Sequence, residues 1–173
     1  MIVIDAAATL ALSPILLIQA LSLRKRALRL PEATGPRTGS LGTGPPLRLL
    51  IVGDSSAAGV GAATQTQALA GQLSAALSTR HRVHWHLIAR TGATTPTTLA
   101  RLMSEELPQA DIVLMVLGVN DVTRGGPLSA WLRTHATLCA LLRARTGARH
   151  LYISEVPPLG AFPLLPNPPR WLL

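Results

Sequence analysis

Short apolar runs alternate with stretches of helical periodicity along most of this chain, and this alternation constrains the fold more than any other feature of the sequence. Four runs are typical of strands: 49–52, 83–88, 112–117 and 150–154. Three intervening stretches repeat apolar side chains at helical spacing: 67–77, 97–107 and 128–142. Strands that alternate with helices form a parallel sheet through right-handed crossovers. We therefore predict an α/β fold.

The composition is that of one folded domain with a short extension. The 173 residues are 48% hydrophobic and 14% charged, which is too apolar for a disordered chain. The net charge is +8, but the chain has only three Trp, one Tyr and one Phe to stack on bases. We therefore expect no nucleic-acid partner. The single cysteine, Cys139, excludes a disulfide within the chain.

Residues 6–23 consist mostly of Ala, Leu and Ile, and as a helix they would be about 27 Å long, close to the roughly 30 Å of a bilayer core. The basic residues follow this segment, at 24–29, rather than preceding it as in a secretory signal. The positive-inside tendency then predicts a cytoplasmic domain. We expect membrane association through residues 6–23; a soluble cytoplasmic chain is the alternative, since Pro14, Gln19 and Ser22 weaken a full span.

Residues 31–46 are rich in Pro and Gly and have no apolar periodicity, which is typical of a linker. We therefore divide the chain into an apolar segment with its basic flank (1–30), a linker (31–46) and a folded domain (47–173).

Three short polar blocks each follow a predicted strand. They are Gly53-Asp54-Ser55-Ser56, Gly92 in its loop, and Gly118-Val119-Asn120-Asp121. The carboxyl ends of parallel strands meet at one edge of a sheet, so we expect these blocks to converge there. Ser55 is a candidate nucleophile, and the Gly92 N–H and the Asn120 carboxamide are candidate donors to an oxyanion.

Each block also has a purely structural interpretation. Asp54, Ser55 and Ser56 are typical helix caps, Gly92 a loop glycine, and Asn120 with Asp121 an Asx turn. Residues 53–61 could also cradle a phosphate. No Lys follows as in a P-loop, however, and the glycines do not fit G-x-G-x-x-G. An anion- or nucleotide-binding domain is therefore the weaker alternative, and we predict no cofactor.

Taken in order, the three blocks resemble those of the SGNH (GDSL-type) hydrolase family, whose four signature blocks carry Ser, Gly, Asn and His. The resemblance covers about residues 47–171 and implies a flavodoxin-like three-layer α/β/α sandwich. It implies that Ser55 is the nucleophile and that its own N–H, the Gly92 N–H and Asn120 Nδ2 form the oxyanion hole, with Asp54 and Asp121 in support. The substrates would be carboxylic esters or thioesters, lipid-like ones included, cleaved through an acyl-serine intermediate.

The sequence departs from this family at the fourth block, Asp-x-x-His. No Asp in the chain has His three residues later, so we assign neither a catalytic His nor a catalytic Asp. We expect a truncated domain whose activity is impaired, and the alternative is an inactive remnant or a lipid- or acyl-binding module.

The histidines that are present do not replace the missing block. His84 and His86 share one face of a predicted strand, with His81 nearby, which superficially suggests a metal site. Without accompanying carboxylates or cysteines we predict no metal there. His135 falls on an apolar helical stripe and His150 begins a strand. Glu155 follows the fourth strand, where a solvated carboxylate is the simpler interpretation.

Overall fold

A five-stranded sheet lies at the centre of the fold. The computed structural model describes residues 30–158. Its strands are β1 (Thr38–Leu41), β2 (Pro46–Gly53), β3 (Arg82–Ala89), β4 (Ile112–Val116) and β5 (His150–Ile153). Their order in the sheet is β1-β3-β2-β4-β5. Strands β2 to β5 pair in parallel, and β1 pairs antiparallel with β3. The predicted α/β fold is confirmed.

The helices are α1 (Ser55–Ala58), α2 (Leu69–Ser78), α3 (Thr95–Ser104), α4 (Val119–Arg124) and α5 (Leu128–Thr146). A capping box starts α3, in which the Thr94 side chain bonds the Thr97 N–H and the Thr97 side chain bonds the Thr94 N–H. Helix α5 ends at Gly147, whose left-handed conformation closes the last turn. Helices α2, α3 and α5 lie where the apolar periodicity predicted helices.

Helices cover both faces of the sheet. Alternate residues of β2 point to opposite faces and pack against different helices. On one side, Leu50 and Val52 belong to a buried cluster with Leu102 of α3 and Leu138 of α5. On the other side, Leu49 and Ile51 belong to a second cluster that includes residues of α1, α2 and β3. Burying strands on both faces produces the three layers of an α/β/α sandwich.

The stretch 31–46, expected to be a linker, differs from that expectation because it contributes β1 to the sheet. Thr38 pairs with His86 and Leu41 with Val83. All four β1 residues are exposed, so the strand has no apolar alternation for a sequence pattern to reveal. Gly39 lies against the indole of Trp85, since an added Cβ would come 2.7 Å from Nε1. Ala33, upstream of β1, is buried.

The apolar segment 6–23 lies outside the described residues, as do 159–173. Within residues 30–158 there is no helix with the length and apolar character needed to cross a membrane.

Candidate active site

Ser55 lies at the turn from β2 into α1. Gly53 is buried at the end of β2, where an added Cβ would come 2.5 Å from Ala57 Cβ and 2.7 Å from the Val116 carbonyl oxygen. Only glycine fits so close an approach. Ser55, half-buried, is the first residue of α1, so its N–H has no acceptor within the helix. The turn therefore presents both the hydroxyl and the amide of Ser55.

Asp54, which is only 2% exposed, holds this turn in place through hydrogen bonds. Its Oδ1 accepts a hydrogen bond from the Ser56 N–H at 2.9 Å, which caps α1. Its own N–H donates to the Val116 carbonyl at 3.0 Å. Asp54 thus attaches the start of α1 to the end of β4.

Asn120 links the loops that follow three neighbouring strands. It lies in the first turn of α4, after β4, and its Nδ2 donates to Asp54 Oδ2 at 3.3 Å and to the Ala93 carbonyl at 2.9 Å. Asp54 follows β2 and Ala93 follows β3. Because these two bonds engage both hydrogens of the carboxamide, an oxyanion bound here would displace one of them.

Gly92 lies in the loop after β3 with a φ of +78°, a conformation that glycine adopts at little cost. Its carbonyl accepts a hydrogen bond from Arg124 Nη2 at 2.9 Å. No group in residues 30–158 accepts from its N–H. An added Cβ would have only Arg124 Nη2 within 4 Å, at 3.9 Å. The Gly92 amide is therefore open to a ligand.

Asp121 connects α4 to α3. Its carboxylate accepts hydrogen bonds from the Thr95 N–H at 3.0 and 3.1 Å and from Thr95 Oγ1 at 3.0 Å. Thr95 is fully buried and begins α3, where a carboxylate also interacts favourably with the helix dipole. Asp121 therefore holds the neighbouring Asn120 in position.

Glu32 supports the Gly92 loop, a role that no sequence pattern predicts. Its Oε1 accepts from the N–H and the hydroxyl of Thr91, both at 2.7 Å, and its Oε2 pairs with Arg37. Burial alone would raise the pKa of Glu32, but the Thr91 and Arg37 contacts together lower it. Glu32 lies 59 residues before Thr91, in the expected linker, so no spacing motif links the two.

All five histidines fall within the described residues, and none hydrogen-bonds to Ser55. His84 and His150 are exposed, and His86 is half-buried, so burial lowers its pKa. His135 Nδ1 lies 3.7 Å from Cys139 Sγ. Burial raises the pKa of Cys139, with Arg143 partly opposing, so the thiol stays protonated near neutral pH. Neither residue offers Ser55 a base.

Two clefts border these loops. The smaller, about 380 Å³, is lined by Gly53, Gly92 and several polar side chains. The larger, about 680 Å³, is mainly apolar and lies among α3, α4 and α5, with Asp121, Leu128 and Trp131 on its walls. Ser55 itself lines neither cleft; Gly53 in the smaller and Asp121 in the larger adjoin the Ser55–Asn120 network.

Comparisons with a family profile and with solved structures agree on one family. The profile of the GDSL-like Lipase/Acylhydrolase family matches residues 51–173. A crystal structure of TesA is similar, with 28% identity, a TM-score of 0.54, and coverage of 64% of this chain and 62% of that one. A psychrotrophic esterase EstA from Pseudoalteromonas sp., inhibited by monoethylphosphonate, shows 25% identity and a TM-score of 0.50 over 62% and 61% of the two chains.

AlinE4, an SGNH-hydrolase family esterase, shares 23% identity and a TM-score of 0.53 over 68% of this chain and 64% of its own. At that identity the likeness shows the fold alone. The chain thus spans less than two thirds of the length of these structures. No curated protein matches it. Together, the profile and the structures confirm the predicted SGNH fold.

Proposed function

This chain belongs to the GDSL-like lipase/acylhydrolase family, and on that premise we propose that it is an ester hydrolase acting through Ser55. The observation that carries the proposal is the Asn120 carboxamide, which bonds Asp54 after β2 and the Ala93 carbonyl after β3. This bridge brings together the loops that hold Ser55, Gly92 and Asn120, which supply a candidate nucleophile and candidate oxyanion donors.

In the proposed reaction, Ser55 Oγ attacks the ester carbonyl carbon and its proton passes to solvent water. The carbonyl oxygen becomes an oxyanion, bound by the N–H groups of Ser55 and Gly92 and by Asn120 Nδ2, which releases one of its internal bonds. The C–O bond to the alcohol oxygen then breaks, which leaves the acyl group on Ser55 Oγ, and the alcohol oxygen takes a proton from solvent water as it departs. Water cleaves the acyl-serine in a second addition and elimination. Loss of one oxyanion donor typically raises such a barrier by about 2.7 to 4 kcal/mol.

The proton from Ser55 has no histidine acceptor, because none of the five histidines forms a hydrogen bond with Ser55. A positioned base contributes about 10² to 10⁴ in rate. We therefore propose that the 173-residue chain hydrolyses esters, whether oxygen esters or thioesters, only weakly, through the oxyanion donors.

The test is release of p-nitrophenol from short acyl esters by the chain, with Ser55→Ala as the active-site variant. Ser56→Ala is the matched control, because Ser56 is exposed and its backbone N–H, rather than its hydroxyl, bonds Asp54. The proposal expects Ser55→Ala to abolish activity and Ser56→Ala to retain it, with both variants folded by circular dichroism. Equal rates in all three proteins would refute a Ser55 mechanism.

A second candidate is an acyl-binding module without turnover. The apolar cleft of about 680 Å³ favours it, since sites for small ligands are of this size and character. This candidate predicts tight binding of a fatty acid by the folded chain together with no Ser55-dependent hydrolysis.

We also propose that residues 6–23 attach the chain to the cytoplasmic face of a membrane, on the strength of their apolar composition and the basic residues that follow. Flotation with liposomes tests this: the full chain should float, and the chain lacking residues 1–29 should not.

A further inference from the structure

The smaller cleft is lined by three arginines. Arg90 precedes the Gly92 loop, Arg101 lies on α3, and Arg124 ends α4; all three border the same cavity of about 380 Å³, together with Gly92. Among residues 30–158, no acidic side chain lines it. Three positive charges around one small volume repel one another, and this arrangement favours a negatively charged occupant.

Two of these arginines have no ionic partner in the described part of the chain. The Arg90 guanidinium makes no hydrogen bond to residues 30–158, and that of Arg124 donates only to the Gly92 carbonyl. Arg101 pairs with Glu105, one turn along α3.

Three carboxylates in the neighbouring loops are already engaged. Glu32 accepts from Thr91 and pairs with Arg37. Asp121 accepts from Thr95, and Asp54 accepts from Ser56 and Asn120. Within residues 30–158, Arg101 is thus the only one of the three arginines with a carboxylate partner, and guanidinium groups bind carboxylate and phosphate oxygens well.

We propose that this cleft binds a negatively charged group, a carboxylate or a phosphate, carried by the substrate, so that anionic esters are preferred to neutral ones. The proposal rests on the proposed ester hydrolase function, because the cleft shares Gly92 with the candidate oxyanion site. A substrate with its carbonyl oxygen at the Gly92 N–H would place a charged group a few bonds away beside Arg90 and Arg124.

Calorimetric titration of the full chain carrying Ser55→Ala tests this without turnover. Two pairs of ligands differ by charge: monomethyl against dimethyl adipate, with the charge on the acyl side, and 1-butyryl-glycerol 3-phosphate against monobutyrin, with the charge on the alcohol side. We expect at least one anionic member to bind about tenfold or more tightly than its neutral counterpart, and the preference to shrink as salt rises.

Arg90→Gln and Arg124→Gln should each reduce that preference by about tenfold, and Arg90→Lys should keep most of it. Arg80→Gln is the matched control, because Arg80 is exposed and precedes the amino end of β3, at the opposite edge of the sheet. Thermal unfolding confirms that each variant is folded.

Equal binding of the charged and neutral members in both pairs would overturn the proposal, as would an equal loss in Arg80→Gln and Arg90→Gln. Because binding is measured on Ser55→Ala, the result is separate from the hydrolysis assay. If anionic preference persists but Ser55-dependent hydrolysis is absent, the failure lies with the hydrolase function and not with the anion cleft.

Discussion

Two glycines shape the candidate active site for different physical reasons. Gly53 is required by space, since a Cβ would meet Ala57 and the Val116 carbonyl at 2.5 and 2.7 Å. Gly92 is required by conformation, since its φ is +78° and its surroundings are open. A left-handed conformation costs most residues about 1 to 2 kcal/mol, and Asn less. The two positions should therefore rank substitutions differently.

At position 92 we expect Gly92→Asn to be more stable than Gly92→Ala, because Asn tolerates positive φ. At position 53 we expect the reverse order, with Gly53→Ala losing about 1 to 3 kcal/mol by overpacking and Gly53→Asn more. Urea unfolding of the four variants measures both differences. The same order of Ala and Asn at the two positions would contradict this account of the turn.

At the scale of elements, the four strands that coincide with apolar runs could be predicted, including the mostly exposed β5, whereas β1 could not. The apolar runs at 49–52 and 112–117 fall on β2 and β4, which are packed on both faces. Strand β1 was not predicted because all its side chains are exposed. Its pairing with β3 is made by backbone groups, which any residue type supplies. Helix α4 is six residues long, too short for a periodic pattern.

For the candidate site, the meeting of the three loops could be predicted from the sequence, but the side-chain bonds between them could not. Strand order places Ser55, Gly92 and Asn120 at one edge of a parallel sheet. Their actual bonding depends on side-chain conformations that no spacing specifies: Asn120 reaches Asp54 and Ala93, and Glu32 reaches Thr91 across 59 positions.

The opposite edge of the sheet offers a test by pH. Asp111 joins the amino ends of β2 and β4, accepting from the Arg48 N–H at 2.9 Å and from its guanidinium at 2.7 and 3.2 Å. These bonds to Arg48 lower the pKa of Asp111 from 3.8 to about 2. Because the folded-state pKa lies below the unfolded one, the stabilisation is fully present above about pH 4 and is lost as the pH falls towards 2.

We therefore expect Asp111→Asn to be less stable than the parent at pH 6, by about 1 kcal/mol since the pair is partly exposed. The difference should shrink steadily between pH 4 and pH 2. Denaturant unfolding at several pH values gives the comparison. A difference that stays constant down to pH 2 would exclude this carboxylate as its source.

At the scale of the whole molecule, the loops that hold Ser55, Gly92 and Asn120 meet, and none of the five histidines hydrogen-bonds Ser55. If the missing component is a base, a base added in solution should partly replace it. We expect imidazole to raise the rate of ester hydrolysis by the chain, in proportion to its concentration, above the rate with Ser55→Ala. The rate measured with Ser55→Ala gives the background reaction, in which imidazole attacks the ester directly. Identical slopes for the two proteins would show that Ser55 takes no part.

In the proposed mechanism, Ser55 accepts the acyl group of the ester. Because no histidine among residues 30–158 hydrogen-bonds Ser55, we expect deacylation to be slow as well, so that the acyl-serine accumulates. Peptide mapping by mass spectrometry after exposure to p-nitrophenyl butyrate tests this directly. We expect a butyryl group on Ser55, absent from Ser55→Ala and retained at position 55 in Ser56→Ala. A folded chain with Ser55 unmodified, or with butyrylation confined to other residues, would refute acyl transfer to Ser55.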